Sequence, residues 1–166
     1  MYKFCKTEQS VQRQRELEQG LLMMMEHQRF EEISVSDLCD RLNIPRKSFY
    51  RYFSSKDGAL HALLDHTIMD ASTYYLSGNS SEDEESFCIR IFEFWQKQTV
   101  LLDALEKNGE SLQLLQRMIR YILEEEPQYA SYMGISDCAV MEHIVYNVSG
   151  TMGLVQLFID SHMPER

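Results

Sequence analysis

The amino-acid sequence predicts an all-α fold on three grounds. The chain of 166 residues holds only seven glycines and three prolines, too few for an architecture rich in tight turns. Apolar side chains recur at helical spacing over long segments. A hydrophobic fraction of 44% is typical of a globular chain with a packed core. We therefore expect a three-helix N-terminal head, residues 1–56, followed by a helical body, residues 57–166.

The first helix of the head is predicted from residue 8 to about residue 28. Its apolar stripe consists of Leu17, Leu21, Met24 and Met25. A methionine-rich stripe is more often core than a cofactor site, so we expect these side chains to be buried. Phe30 and Ile33 then close the loop against the following helices.

The stretch from Ser34 to Lys56 predicts two short helices joined by a tight turn. Ser34 and Asp37 have the spacing of an N-cap and its capping box. Asn43 tolerates the left-handed conformation with which many helices end. Pro45 suits the start of a second helix, predicted over 45–53. Together these signals predict a helix-turn-helix motif.

The second helix of this pair lies in a basic window. Between Asp40 and Asp57 there are five Lys or Arg residues and no Asp or Glu. Such a window suits the phosphate backbone, and Ser, Lys and Arg side chains can reach base edges in the major groove. A solvated basic face on an ordinary helical pair explains the charges about equally well.

This region resembles the DNA-binding domain of the tetracycline-repressor (TetR) family of bacterial transcription regulators. The most specific part of the resemblance is the run FYRYF at 49–53, with Lys56 three residues later. In the family, the residues matched by Tyr50 and Lys56 usually contact phosphates. The usual turn glycine and the serine after it are Asn43 and Pro45 here. The predicted DNA-contacting residues are Ser34, Ser36, Arg46, Lys47, Ser48, Tyr50, Arg51 and Lys56.

The net charge of −10 is distributed unevenly along the chain. Residues 1–66 hold ten Lys or Arg and ten Asp or Glu, whereas residues 67–166 hold six and sixteen. The whole negative charge therefore lies in the body, which DNA would repel. This asymmetry favours binding of DNA at the head only.

The body is predicted to hold five helices and one exposed loop. Helices are expected from residue 57 to 76, after the loop to about 98, and over 100–107, 111–126 and 136–162; the loop is GNSSEDEE at 78–85. Asn108 and Gly109 are expected to end the third of these helices.

Aromatic and methionine residues are concentrated in the body, and most of them must be core. Some could line an apolar pocket between helices. The predicted ligand-binding residues are Phe92, Trp95, Met118, Tyr121 and Tyr146. Because the body is acidic, we expect the effector to be small, hydrophobic, and neutral or cationic.

The last predicted helix has a wide apolar stripe that is hard to bury within one chain. The predicted dimer-interface residues are Ile144, Val148, Met152, Val155 and Ile159. An internal core helix is the other interpretation. The TetR resemblance implies a homodimer joined by the last two helices, a pseudo-palindromic DNA operator, and release of the operator when a ligand binds.

No catalytic, metal or cofactor site is predicted. The four cysteines and five histidines show no metal-ligand spacing, and no nucleophile–base or carboxylate pair is recognisable. The first ten residues lack the apolar stretch of a secretory signal, and the apolar run LLMMM at 21–25 is far too short to span a membrane, so we expect a cytoplasmic protein. Two other classes stay open: a co-regulator that binds a protein instead of DNA, and a small helical enzyme.

Overall fold

The computed structural model describes residues 1–76, 84–124 and 140–162, and the all-α prediction is confirmed for them. The α-helices are α1 (Glu8–Met25), α2 (Val35–Arg41), α3 (Arg46–Phe49), α4 (Lys56–Leu76), α5 (Glu84–Gln96), α6 (Thr99–Lys107), α7 (Ser111–Glu124) and α8 (Val140–His162). A 3₁₀ turn, Phe30–Glu32, lies between α1 and α2. An isolated antiparallel bridge between Tyr2 and Phe53 is the only β-pairing in these ranges.

Two compact units share these helices. The first consists of Met1–Thr67 and Asp103–Glu110, and the second of the other described residues. Both α4 and α6 therefore continue from one unit into the other.

The core of the first unit forms where α1, α2, α3 and α4 present their apolar faces. The stripe predicted on α1 is buried, as are Phe30, Ile33 and the inner face of α4. On α1, Gly20 allows close approach of α2, because a Cβ there would lie 2.7 Å from Cδ1 of Leu42. Glu18 is fully buried, and its carboxylate lies 2.9 Å from Nδ1 of His66 on α4. A buried carboxylate thus has a hydrogen-bonding partner, as burial of a charge requires.

The second unit is built around α8, which packs against α7 and α5. Its buried residues include Trp95 from α5, Leu114 and Met118 from α7, and Ile144 and Val155 from α8. Trp95 is fully buried, with its ring against Phe94 at a centroid distance of 5.4 Å.

Several helices differ from the prediction at their ends. α1 ends at Met25 instead of about residue 28, and α3 ends at Phe49 instead of Phe53. The chain from 50 to 53 continues in turns, with the Phe53 N–H still donating to the Phe49 carbonyl at 3.1 Å. The predicted loop at 78–85 and the predicted helical residues 125–126 and 136–139 lie largely or wholly outside the described residues.

Candidate nucleic-acid interface

The first helix of the motif begins with a complete capping box. The Asp37 N–H donates to Ser34 Oγ at 3.1 Å, and the Ser34 N–H donates to Asp37 Oδ2 at 3.1 Å. The Ser34 hydroxyl also donates to Asp37 Oδ2 at 2.6 Å. These bonds from the Ser34 side chain and backbone lower the pKa of the Asp37 carboxyl. The Ser34 hydroxyl, which is a predicted DNA contact, is thus already engaged within the chain.

The turn between α2 and α3 is a Schellman motif centred on Asn43. Asn43 has a positive φ of 52°, as its predicted role requires. The Ile44 N–H donates to the Cys39 carbonyl at 2.9 Å, and the Asn43 N–H donates to the Asp40 carbonyl at 3.1 Å. These are the two bonds that define the motif. Burial raises the pKa of the Cys39 thiol beneath this turn.

Pro45 begins the second helix without a side-chain cap. Its φ of −65° and ψ of 140° place it at the N-cap, and its carbonyl accepts the Ser48 N–H at 2.8 Å. The missing cap hydroxyl therefore leaves the helix start intact, because the proline carbonyl still closes the first turn.

The side chains of α3 and the turn after it divide into a buried set and an exposed set. Phe49, Tyr52 and Phe53 are buried in the first unit. Arg46, Lys47, Tyr50 and Arg51 are exposed, whereas Ser48 and Ser36 are half-buried. The Tyr50 side chain is 56% exposed, and its ring lies edge-on to Phe49. The outward side thus presents three cations and a phenol next to one another.

Lys56 has contacts within the chain that the sequence did not suggest. Its ammonium donates to the carbonyls of Phe30 and, at 3.2 Å, of Glu31. The same nitrogen lies 4.3 Å from the centroid of the Phe30 ring. An ammonium has three N–H donors, so two are used here and one is left for a phosphate.

Asn108 holds the same 3₁₀ turn from the other side. Its Oδ1 accepts the Phe30 N–H at 2.5 Å, and its Nδ2 donates to the carbonyls of Met25 at 3.3 Å and Ala104 at 2.7 Å. Gly109 follows with a φ of 70° and ends α6, as predicted. The sequence predicted Asn108 only as part of a helix end. Its hydrogen bond with Phe30 spans 78 positions, and no local sequence pattern indicates such a contact.

A second basic surface next to α3 was also missed. Lys3, Lys6 and Arg13 line a groove of about 670 Å³ together with Ser48 and Arg51. The N-terminal residues carry their own weak signal, since residues 1–13 hold three cations and one acid. Without the fold, nothing placed these cations beside α3.

The predicted ligand-binding residues lie in different environments of the second unit. Trp95 and Met118 are buried, and Phe92 and Tyr121 are half-buried. Tyr146 is 78% exposed on α8. Its exposure sets it apart from the buried Trp95 and Met118.

The predicted dimer stripe mostly faces inward. Ile144, Val148 and Val155 are buried in their own subunit, Met152 is half-buried, and the side chain of Ile159 lies outside the described residues. The exposed apolar residues of α8 are Met141, Val145, Tyr146, Leu154 and Leu157. The physical reason is that α5 and α7 cover one side of α8. Residues on that side are core, which was the other interpretation of the stripe.

The residues of the described ranges meet neither the requirements of a metal site nor those of a membrane span. There, no group of three or more His, Cys, Asp or Glu residues could hold a metal ion. Within the same ranges, no helix combines the length and apolar character needed to cross a bilayer.

Comparison with known families agrees with the geometry of the motif. The family of bacterial regulatory proteins described as the tetR family matches residues 20–63. The match runs from the end of α1, through the helix-turn-helix, into the first turns of α4. No curated protein matches the chain. This match to the N-terminal DNA-binding domain of the tetR family supports a transcription regulator of that family.

Proposed function

We propose that the protein is a cytoplasmic, homodimeric repressor that leaves a pseudo-palindromic DNA operator when a small hydrophobic effector binds. Residues 1–56 would contact DNA, and residues 57–166 would bind the effector and the second subunit. The observation that carries the proposal is the exposed basic side of α3. Arg46 and Lys47 on α3 and Arg51 in the turn after it are exposed, whereas Phe49 and Phe53 of the same segment are buried.

Anchoring matters because base contacts need a rigid support. Phe49 is fully buried, and Phe53 is 1% exposed. The Schellman turn at Asn43 sets the direction in which the chain leaves α2 and enters α3. Lys47 on α3 and Arg51 in the turn after it are both exposed and are suited to base edges, while Tyr50 and Arg46 are suited to phosphates.

Homodimerisation is proposed through the exposed side of α8. Val145, Tyr146 and Leu154 line a groove there with Ser149 and Gly150. No described atom lies within 4 Å of a Cβ built on Gly150 or Gly153, outside their own neighbours. Small residues let a second helix approach closely, and the surrounding apolar side chains supply area to bury. A second copy of α8 fits this description, since a twofold interface is formed by the same surface of both subunits.

The effector site is proposed near Trp95, between α5 and α7. The indole N–H of Trp95 is buried and has no hydrogen-bond acceptor among the described residues. A buried donor without a partner costs about 1–3 kcal/mol, so an effector carrying an acceptor would gain affinity there. Phe92 and Met118 are apolar residues of the same two helices and would suit a hydrophobic molecule.

Release of DNA would follow from a population shift between two conformations. α4 is continuous from Lys56 to Leu76 and includes residues of both units. An effector that binds one position of α4 better than another would shift the population by its difference in affinity. The operator would be released if, in the favoured position of α4, the distance between the two recognition helices no longer matches the spacing of the two half-sites.

The first experiment is selection of duplexes from a random-sequence DNA pool by the purified protein. We expect an enriched pseudo-palindrome. Lys47→Ala and Arg51→Ala should each weaken binding by about 1–3 kcal/mol and relax the preference at separate base pairs. Arg120→Ala is the matched control, since Arg120 is exposed on α7 of the second unit and should leave binding unchanged.

Two outcomes would change the proposal. If Lys47→Ala and Arg51→Ala fold and bind like the wild type, α3 is not the recognition helix. If the wild type enriches no sequence, the protein is better described as a co-regulator that binds a protein partner. Repression is tested by placing the enriched site over a promoter; a rise in reporter output on co-expression would indicate an activator instead.

A further inference from the structure

The N-terminal segment, residues 1–6, is held against the end of the helix-turn-helix by backbone hydrogen bonds. The Lys3 N–H donates to the Tyr52 carbonyl at 2.8 Å, and the Ser54 N–H donates to the Met1 carbonyl at 3.1 Å. The Gln14 side-chain amide donates to the Lys3 carbonyl at 3.2 Å. The segment thus has a defined place beside α3, because residues of α1 and residues that follow α3 both form hydrogen bonds with it.

The side chain of Tyr2 anchors the segment from the other direction. Its hydroxyl donates to Asp65 Oδ2 on α4 at 2.8 Å, and its ring lies edge-on to His66 at a centroid distance of 5.6 Å. Gly58 lies beneath the same segment, since a Cβ there would come within 2.6 Å of the Met1 carbonyl oxygen. The N-terminal segment therefore packs on α4 by close contact.

The groove between this segment and α3 is lined by cations and uncharged groups. Lys3, Lys6, Arg13 and Arg51 all line the groove, and no carboxylate lines it. Lys3, Lys6 and Arg51 have no ion pair with any described residue. Arg13 pairs with Glu16 at 2.7 Å, but both side chains are about half exposed (53% and 45%). Such a surface pair contributes little, so a phosphate can compete for Arg13.

We propose that this groove binds the sugar–phosphate backbone of the operator, next to the major-groove contact of α3. The inference rests on the proposed function and extends it. Ser48 and Arg51 belong to both surfaces, so a DNA strand leaving the recognition helix would meet Lys3 and Lys6 directly. Four cations around one open groove match the charge of a phosphate strand, which supplies affinity without sequence preference.

The test uses the duplex that the wild type enriches, in a long form with native flanks and a form trimmed to the recognised core. Lys3→Gln with Lys6→Gln removes two exposed charges and should leave folding intact, checked by thermal unfolding. On the long duplex we expect the slope of log affinity against log salt to fall by about 0.9 for each lost contact. With two contacts in each subunit and thus four in the dimer, the wild type would lose about 150-fold more affinity than the variant between 50 and 200 mM salt.

Trimming the duplex should remove the difference. The wild type should weaken on the short form, the Lys3→Gln, Lys6→Gln variant should not weaken further, and the two should then bind alike. Lys97→Gln with Arg120→Gln is the control, because it changes the net charge equally within the second unit. It should bind both duplexes like the wild type.

Three results would overturn the inference. The first is a variant that binds the long duplex like the wild type. The second is an equal loss of affinity on both forms, which would point to net charge alone. A control that loses as much as the variant would mean the same. Failure of the wild type to enrich any duplex would instead overturn the proposed function, and this inference with it, before any variant is made.

Discussion

Ser34 is predicted to contact DNA, yet its hydroxyl closes the capping box of α2 with Asp37. We expect Ser34→Ala to lower the free energy of unfolding by about 1 kcal/mol, the usual cost of a lost N-cap. Ser36→Ala is the control on the same turn, and it should leave stability nearly unchanged. Thermal unfolding measures the difference. Equal stability of both variants would show that the cap contributes nothing to the fold.

Lys56 also serves the fold, through the carbonyls of Phe30 and Glu31. We expect Lys56→Ala to destabilise the protein by about 1 kcal/mol, because the hydrogen bonds and the contact with the Phe30 ring are lost. If the third donor meets a phosphate, the salt slope of DNA binding should also fall by about 0.9 per bound subunit. Unfolding and salt titrations separate the two effects. A loss of stability with an unchanged slope would remove Lys56 from the DNA contacts.

At the scale of the elements, the turn between α2 and α3 depends on the backbone of one residue. Asn43 is exposed and has a φ of 52°, so its contribution is conformational. Asn43→Ala should cost about 1 kcal/mol, because a Cβ is disfavoured in this region. Asn43→Gly should be tolerated or stabilise the turn. Chemical denaturation compares them, and an alanine variant as stable as the glycine variant would contradict this account.

For the whole molecule, the arrangement of α8 decides which residues can join two subunits. Leu154 is 63% exposed on α8, whereas Val155 is fully buried. We expect Leu154→Arg to produce folded monomers in sedimentation experiments, with much weaker operator binding, since one half-site offers too few contacts. Val155→Arg should unfold the second unit instead.

The control for the dimer prediction is Val100→Arg. Val100 is 48% exposed at the start of α6 and should tolerate the same charge without loss of the dimer. A Leu154→Arg protein that stays dimeric would move the interface to another surface.

Effector binding can be followed through Trp95, the only tryptophan of the chain. A panel of apolar and cationic compounds should contain some that quench or shift its fluorescence, and the same compounds should release DNA at similar concentrations. Trp95→Phe, with a matched readout by DNA release, is the control for optical artefacts. Compounds that quench Trp95 but never change operator binding would support a pocket and contradict the release mechanism.

Local patterns allowed the sequence to determine the all-α fold, the helix-turn-helix and the TetR resemblance. The Ser34 cap, the Asn43 turn and the buried side of α3 each depend on residues within a few positions of one another. The signals for Gly109 at the end of α6 are local in the same way. Such features are predictable because the interacting groups are brought together by the helix or turn itself.

Only the tertiary structure decided which groups meet across the chain. Lys56 reaches the carbonyl of Phe30 across 26 positions, Asn108 meets Phe30 across 78, and Ser54 meets Met1 across 53. The sequence of α8 shows apolar residues at helical spacing, but this spacing is the same whether the apolar side packs in the core or against a second subunit. Packing of α5 and α7 made Ile144 and Val155 core and left Tyr146 and Leu154 exposed. Helical periodicity identifies an apolar side, and only the packing partners determine what covers it.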